Sequence, residues 1–298
     1  MDTIYHAGEL DVQAHAGGLD MAARLAGGVR PYLFDYVIRA LPEQTFLVAS
    51  VADVDGNAWA LPMVGAVGFV TAKDRNTIHI SPDHMLDAPS IPSLVPGAMI
   101  GLLGIVLENR IRIRINGVIE AVNDDGLTVN VHQAYGNCPK YIQIRQVVAS
   151  HTETPTLGRI FNTLAPEHHK WIARVDTFFV ATGHPTSGMD ASHRGGNPGF
   201  VKVLDDQTLL WPDYAGNMMF NTLGNITANP RTGLLFIDFE HDRVLQLAGR
   251  AVVHHDDARQ ADFAGAQRLV SFEISEGRVV SGGLGRRWAL TSRSHYNP

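Results

Sequence analysis

The sequence predicts a mainly β protein built from two copies of one small barrel, with few helices. Three observations predict it. Glycine is frequent, 29 of 298 residues, beside 15 prolines, which suits a turn-rich β fold. Blocks recur in order at a nearly constant offset: F-L-V-A-S at 46–50 returns as F-F-V-A-T at 178–182, 132 residues on. G-F-V-T-A-K-D at 68–74 returns as G-F-V-K-V-L-D at 199–205, and G-L-L-G-I-V-L-E at 101–108 as G-L-L-F-I-D-F-E at 233–240. Third, I-R-I-R-I at 111–115 alternates strictly, the period of a half-buried antiparallel strand.

The elements follow in order. D-M-A-A-R-L-A at 20–26 and Y-L-F-D-Y-V-I-R-A-L at 32–41 read as helices ahead of the first barrel. F-L-V-A-S-V-A is a strand before the turn D-V-D-G, and T-I-H-I-S follows the hairpin turn K-D-R-N. Ile111, Ile113 and Ile115 face one side and Arg112 and Arg114 the other; L-T-V-N-V at 127–131 is the next strand. A-P-E-H-H-K-W-I-A-R at 165–174, with proline at the first helical position, opens the second copy as a helix. R-V-L-Q-L at 243–247 repeats the alternation with Leu245 and Leu247 inward, and V-S-F-E-I at 270–274 is a further strand. The expected division is a helical extension over 1–40, a first barrel over 41–150, a linker over 151–164 and a second barrel over 165–298.

Charge and cysteine content narrow the function. Net charge is −6 with a pI near 6.1, so no basic field attracts a phosphate backbone and no nucleic-acid partner is expected. The one cysteine, Cys138, excludes an internal disulfide and suits a reducing, cytoplasmic setting. M-D-T-I-Y-H-A-G-E-L lacks the basic and apolar regions of a signal peptide, and the most apolar run, 96–107, is too short to span a bilayer. No membrane partner is expected.

The segment D-A-S-H-R-G-G-N-P-G-F-V at 190–201 is the strongest candidate site. Its glycines let backbone approach another group, and Ser192, His193 and Arg194 place a hydroxyl, an imidazole and a guanidinium beside them. A bulged strand edge is the plainer alternative. Downstream, Asn217, Asn221 and Asn225 recur every four residues, one face of a short helix over 216–226. The matching span of the first copy, at 82–94, lacks them. Cys138 in G-N-C-P-K-Y reads as a small packed thiol rather than a nucleophile. His168-His169 and His254-His255 are neighbours that point apart, and no metal-binding spacing occurs, so no metal site is expected. Dinucleotide-fold, P-loop and α/β-hydrolase motifs do not occur either.

The run S-H-R-G-G-N-P-G-F-V-K-V, then W-P-D-Y-A-G-N-M-M-F-N-T-L-G-N-I, resembles the pyridoxamine 5′-phosphate oxidase-like split barrels. More narrowly it is similar to their predicted flavin-nucleotide-binding branch, which H-A-G-E (6–9), R-I-N-G (114–117) and G-N-C-P-K-Y-I-Q-I-R in the first copy also fit. The resemblance implies two tandem six-stranded antiparallel split β-barrels, paired as an internal pseudo-dimer or a homodimer, with FMN in the groove between barrels. Carried over, Ser192, His193, Arg194, Gly195, Gly196, Asn197, Phe200, Val201 and Lys202 line one wall, and Trp211, Asp213, Asn217 and Asn221 the next. His193 is the one candidate proton donor. Gly216 and Met218 stand where the oxidases carry a phosphate-binding Ser and Lys, which argues against pyridoxamine phosphate oxidation. The implied function is an FMN-dependent oxidoreductase acting on a small molecule. The alternative is a non-catalytic flavin, deazaflavin or haem binder.

Overall fold

The computed structural model describes residues 3–81, 84–85, 94–151 and 154–298. Helices α1 (Ala7–His15), α2 (Leu19–Ala26) and α3 (Asp35–Ala40) precede β1 (Phe46–Ala52), β2 (Ala58–Val64), β3 (Val70–Ala72), β4 (Thr77–Ile80), β5 (His84–Met85), β6 (Met99–Val106), β7 (Ile111–Asn123) and β8 (Gly126–Gly136). Two strands follow, β9 (Ile144–Ser150) and β10 (Thr156–Leu157), then α4 (Pro166–Ile172). The second half holds β11 (Thr177–His184), β12 (Gly188–Gly195), β13 (Lys202–Val203), β14 (Thr208–Tyr214), α5 (Asn221–Ala228), β15 (Arg231–Asp238), β16 (Arg243–His254), β17 (Ala266–Ser281) and β18 (Arg286–Ser292).

The chain is mainly β, and its two large antiparallel sheets share one topology. The first runs β3-β4-β8-β7-β6-β1-β2-β5, and the second, read from its other end, β13-β14-β17-β16-β15-β11-β12. Matching strands by the sequence repeat makes the seven shared positions identical. Leaving aside β3, β5, β10 and β13, of two or three residues each, each sheet has six strands. Each sheet curls around its own core, since residues of both edges meet there: Val70 and Ile78 share a cluster with Leu61 and Met63. The equivalent cluster of the second sheet gathers Phe178, Trp211, Phe236 and Phe272.

A third cluster explains why F-L-V-A-S is apolar on both faces. Leu47, Ala49 and Val51 enter the first barrel, while Phe46 and Val48 join Phe179, Ala181 and Leu235 of the second. The barrels therefore pack through their repeated strands, β12 against β6 and β7, and β2 against β15 and β16. Ser50 donates to the Thr182 carbonyl at 3.2 Å, joining β1 to β11 across the junction. The repeated glycines sit at this junction. A Cβ on Gly101 would lie 2.5 Å from the Met189 carbonyl oxygen, and one on Gly233 would lie 2.5 Å from that of Ala58.

Some expectations change in extent. The strands that begin at 111 and 243 run on to Asn123 and His254. The helix around the Asn series starts at Asn221, because Met218 and Phe220 adopt left-handed backbone, so Asn217 lies outside it. Helix α1 lies where only the H-A-G-E motif was noted, and that motif is its capping box. The His6 ring accepts from Gly8 N (3.2 Å), and Glu9 accepts from His6 N (2.9 Å). α1 then packs on α5 of the second half. β18 returns to pair with β9, and β10 within the expected linker pairs with β17. The span 82–94, compared above with the Asn series, lies mostly outside the described residues. Among the described residues no helix is long and apolar enough to cross a membrane.

Candidate functional site

A groove forms where the two repeats meet. β7 and the segment after β8 contribute Arg112, Arg114, Asn137, Cys138 and Tyr141. β12, β14 and the stretch before α5 contribute His193, Arg194, Gly195, Asp213, Tyr214, Gly216, Asn217, Met218, Phe220 and Asn221. Gly195 lets the walls close: a Cβ there would lie 2.0 Å from the Tyr141 carbonyl oxygen. The enclosed part is small, about 90 Å³.

Charge dominates the groove floor. Arg114 Nη1 donates to both Asp190 carboxylate oxygens, at 2.9 and 3.0 Å, and Thr222 Oγ1 donates to the same carboxylate at 3.3 Å. Arg112 donates to the Cys138 carbonyl at 2.6 Å, and its Nη1 lies 3.4 Å from His193 Nδ1. Asp213 holds Arg268 at 2.6 Å and Arg194 at 3.8 Å. Burial lowers the Arg112 guanidinium to about 10, and neighbouring Arg114 adds to the effect. Burial, then Arg112 and Arg194, push the His193 imidazole well below its ordinary value, so it is neutral at pH 7. Burial also lowers Arg194, with Asp213 opposing.

Many of these groups lack partners. Arg112 Nε, Arg114 Nε, Arg194 Nε, His193 Nε2, Ser192 Oγ and Asn137 Nδ2 are buried without a hydrogen bond. Unpaired buried polar groups are costly, and a cluster of them around three guanidiniums marks a place for an anion. Backbone strain collects here too. Tyr141, Met218 and Phe220 all line the groove with φ of 64°, 62° and 57°. A larger open cleft, about 790 Å³, lies between α4, β15 and β18. Among the described residues, Trp171 Nε1 is the one unpartnered buried polar atom of a residue lining it.

Of the residues singled out by sequence, His193, Arg194, Gly195, Phe200, Asp213, Asn217 and Asn221 line the groove. Ser192 is fully buried on β12 beside it. Val201 and Trp211 lie in the core of the second barrel. Gly196 abuts the Phe200 ring, Asn197 bonds the Pro298 carbonyl at 2.5 Å, and Lys202 reaches outward to Asp262 at 3.9 Å. The Asn series does not act as one face. Asn217 donates to Asn137 (2.9 Å), Asn221 to Glu9 (2.6 Å), and Asn225 to Thr182 Oγ1 (3.1 Å).

Sequence reasoning missed Arg112, Arg114, Asn137 and Tyr141. The I-R-I-R-I alternation placed both arginines opposite the barrel core, where a half-buried strand meets water. The second barrel covers that face, and Arg114 is only 7% exposed. Cys138 is half-buried at the groove edge, its Sγ 3.9 Å from Arg112.

The pseudo-equivalent junction is built from different residues. Gln246 occupies the place of Arg114 and donates to the Ala60 carbonyl at 2.6 Å. Arg278, in the place of Tyr135, donates to Gln246 at 3.0 Å and lies 4.6 Å from the centre of the Trp59 ring. The junction built on the second repeat's β12 holds the cationic groove.

Residues 164–280 match the family model for pyridoxamine 5′-phosphate oxidase. No curated protein matches the chain. Among solved structures, a Lactobacillus delbrueckii chain described as a candidate pyridoxamine 5′-phosphate oxidase is 18% identical. It covers 39% of this chain and 94% of its own, with a TM-score of 0.33. HupZ of Group A Streptococcus is 14% identical over 44% of this chain and 98% of its own, with a TM-score of 0.31. A FAD-binding protein from Mesorhizobium loti is 11% identical over 41% of this chain and 96% of its own, with a TM-score of 0.30. Residues 164–280, from the approach to α4 through most of β17 and including one wall of the groove, thus belong to the pyridoxamine 5′-phosphate oxidase family.

Proposed function

We propose that the groove between the barrels binds a flavin, FMN in the first instance, by its phosphate, and that the protein is an FMN-dependent oxidoreductase acting on a small molecule. The cluster of unpartnered buried donors on Arg112, Arg114, Arg194, His193 and Asn137 carries the reading. A bound flavin supplies hydride transfer. Arg112 and Arg194 hold the phosphate, and Asn137 and Asn217 orient it. This set replaces the Ser and Lys whose places Gly216 and Met218 take. His193, whose Nε2 is buried without a partner, is the candidate proton donor of the groove. We further propose that the first barrel is a diverged copy that completes this one groove, giving one cofactor per chain.

Size sets a condition. Sites for cofactor-sized ligands measure roughly 300–1,000 Å³. The enclosed 90 Å³ accepts the phosphate end alone. The remainder of a flavin must lie at the open mouth or displace residues 216–220. That narrowness favours the second reading, a carrier or sensor, because it leaves no enclosed room for a substrate beside the cofactor.

Spectrophotometric titration with FMN tests the proposal. Saturation at one FMN per chain, followed by anaerobic bleaching with NADH or NADPH, is the expected result. Uptake without bleaching by either nucleotide selects the carrier. No uptake at micromolar FMN removes both readings.

A further inference from the structure

Helix α1 backs the groove wall: Glu9 accepts from Asn221, and Gln13 donates to the Met219 carbonyl at 3.1 Å. Its outer face carries Asp11 and His15, one turn apart, with His15 Nδ1 3.6 Å from Asp11 Oδ1. The segment after β16 brings His255 to them from the second barrel. The two imidazole rings stack with centroids 4.4 Å apart and planes at 21°. One ligand atom from each of Asp11, His15 and His255 can be chosen so that all three lie within 4.8 Å of one another.

We propose that Asp11, His15 and His255 form a binding site for a divalent transition metal of the zinc class. Two nitrogens and one carboxylate oxygen are a donor set that suits such ions and leaves further positions for water. Two imidazole nitrogens among three donors do not suit calcium or magnesium, which take oxygen ligands. His15 Nδ1 also lies 2.9 Å from the Asp11 carbonyl oxygen, the kind of outer contact that fixes a ligating imidazole and leaves Nε2 for the ion. Asp11 and His15 are exposed, so the ion has an entry path. No sequence motif signals the site, because its third ligand is 240 residues from the second and belongs to the other barrel. The bound ion pins α1 to the second barrel at the end of the helix farther from its cap.

Isothermal titration of the full chain with zinc chloride tests this. The wild type is expected to bind one zinc with low-micromolar affinity. His15→Ala and His255→Ala should each weaken that site by about tenfold or more, and Asp11→Asn by less. His241→Ala, which removes an exposed histidine paired with Asp238 elsewhere, should leave it unchanged. Circular dichroism establishes that the variants are folded. Magnesium in place of zinc should give no saturable heat. Absence of one-to-one zinc binding by the wild type overturns the proposal, as does wild-type affinity in both His15→Ala and His255→Ala, which would place the zinc on other histidines.

Discussion

Arg114 of the first repeat and Asp190 of the second form a buried ion pair across the barrel junction, Nη1 bridging both carboxylate oxygens at 2.9 and 3.0 Å. The repeat places Gln246 and Trp59 at the equivalent positions of the other junction, where Arg278 donates to Gln246 and lies over the Trp59 ring. Burial alone would lower the Arg114 guanidinium, but Asp190 and Tyr135 hold it above its ordinary value.

Removing one partner strands the other charge in a dry junction. Arg114→Gln or Asp190→Ala should each cost about 3–5 kcal/mol of stability, the scale for breaking a buried pair. The double variant removes both charges and should cost clearly less than the sum of the two singles. Urea denaturation of the four proteins measures the coupling. Strict additivity would mean that the two side chains do not stabilise each other.

Gly101 and Gly233 make matched predictions. Each added methyl group would meet backbone of the opposite barrel at 2.5 Å, and backbone cannot yield as a side chain tip can. Gly101→Ala and Gly233→Ala should each destabilise by about 1–3 kcal/mol, the usual cost of overpacking. Thermal unfolding compares them with Gly216→Ala, whose Cβ would meet only the Tyr214 carbonyl oxygen at 3.9 Å and which should change little.

The repeat made the fold legible, because two copies of one strand pattern have few ways to differ in topology. The strand order of the two sheets follows the matched blocks even where strand ends were misplaced. The site was legible on one side only. His193, Arg194 and Asn217 stand out beside glycines in their own repeat. Arg112 and Arg114 sit on a strand whose alternation looks like that of any solvent-facing strand. Only the docking of the second barrel turns that face inward, and periodicity does not report what covers a face. The Asn series misled for a related reason. Two of its three members serve the packing of α1 and β11, and the left-handed turn at Met218 to Phe220 removes Asn217 from the helix.

Glu9 gives a pH prediction. Burial raises its carboxyl from 4.5 to about 7, although the bonds from His6 N and Asn221 oppose the shift. A raised carboxyl favours the folded state while protonated. The contribution is complete below about pH 4.5, falls as pH rises through the interval to about 7, and is gone above it. The loss is on the order of 3 kcal/mol. Glu9→Gln keeps an oxygen for one of the two donors and carries no charge. The stability of the variant relative to wild type should therefore rise between pH 4.5 and pH 8 in parallel denaturation series. A constant difference across that range would show that Glu9 titrates alike in the native and unfolded states.

The groove arginines should separate from the outward lysine in cofactor binding. Arg194 comes from the second repeat and Arg112 from the first, and both face the enclosed space. Lys202 points to Asp262 on the surface, although it lies on the same glycine-rich segment. A charge-assisted hydrogen bond to phosphate contributes about 1.5–3 kcal/mol. Arg194→Ala and Arg112→Ala should each weaken FMN binding by about ten- to a hundredfold, and Lys202→Ala by less than about threefold. Riboflavin, which lacks the phosphate, should bind wild type and both arginine variants with similar affinity. Fluorescence-quenching titrations of the four proteins with both ligands read this directly. If Arg112→Ala bound FMN as tightly as wild type, the first repeat would have no part in holding the phosphate, and the site would belong to the second barrel alone.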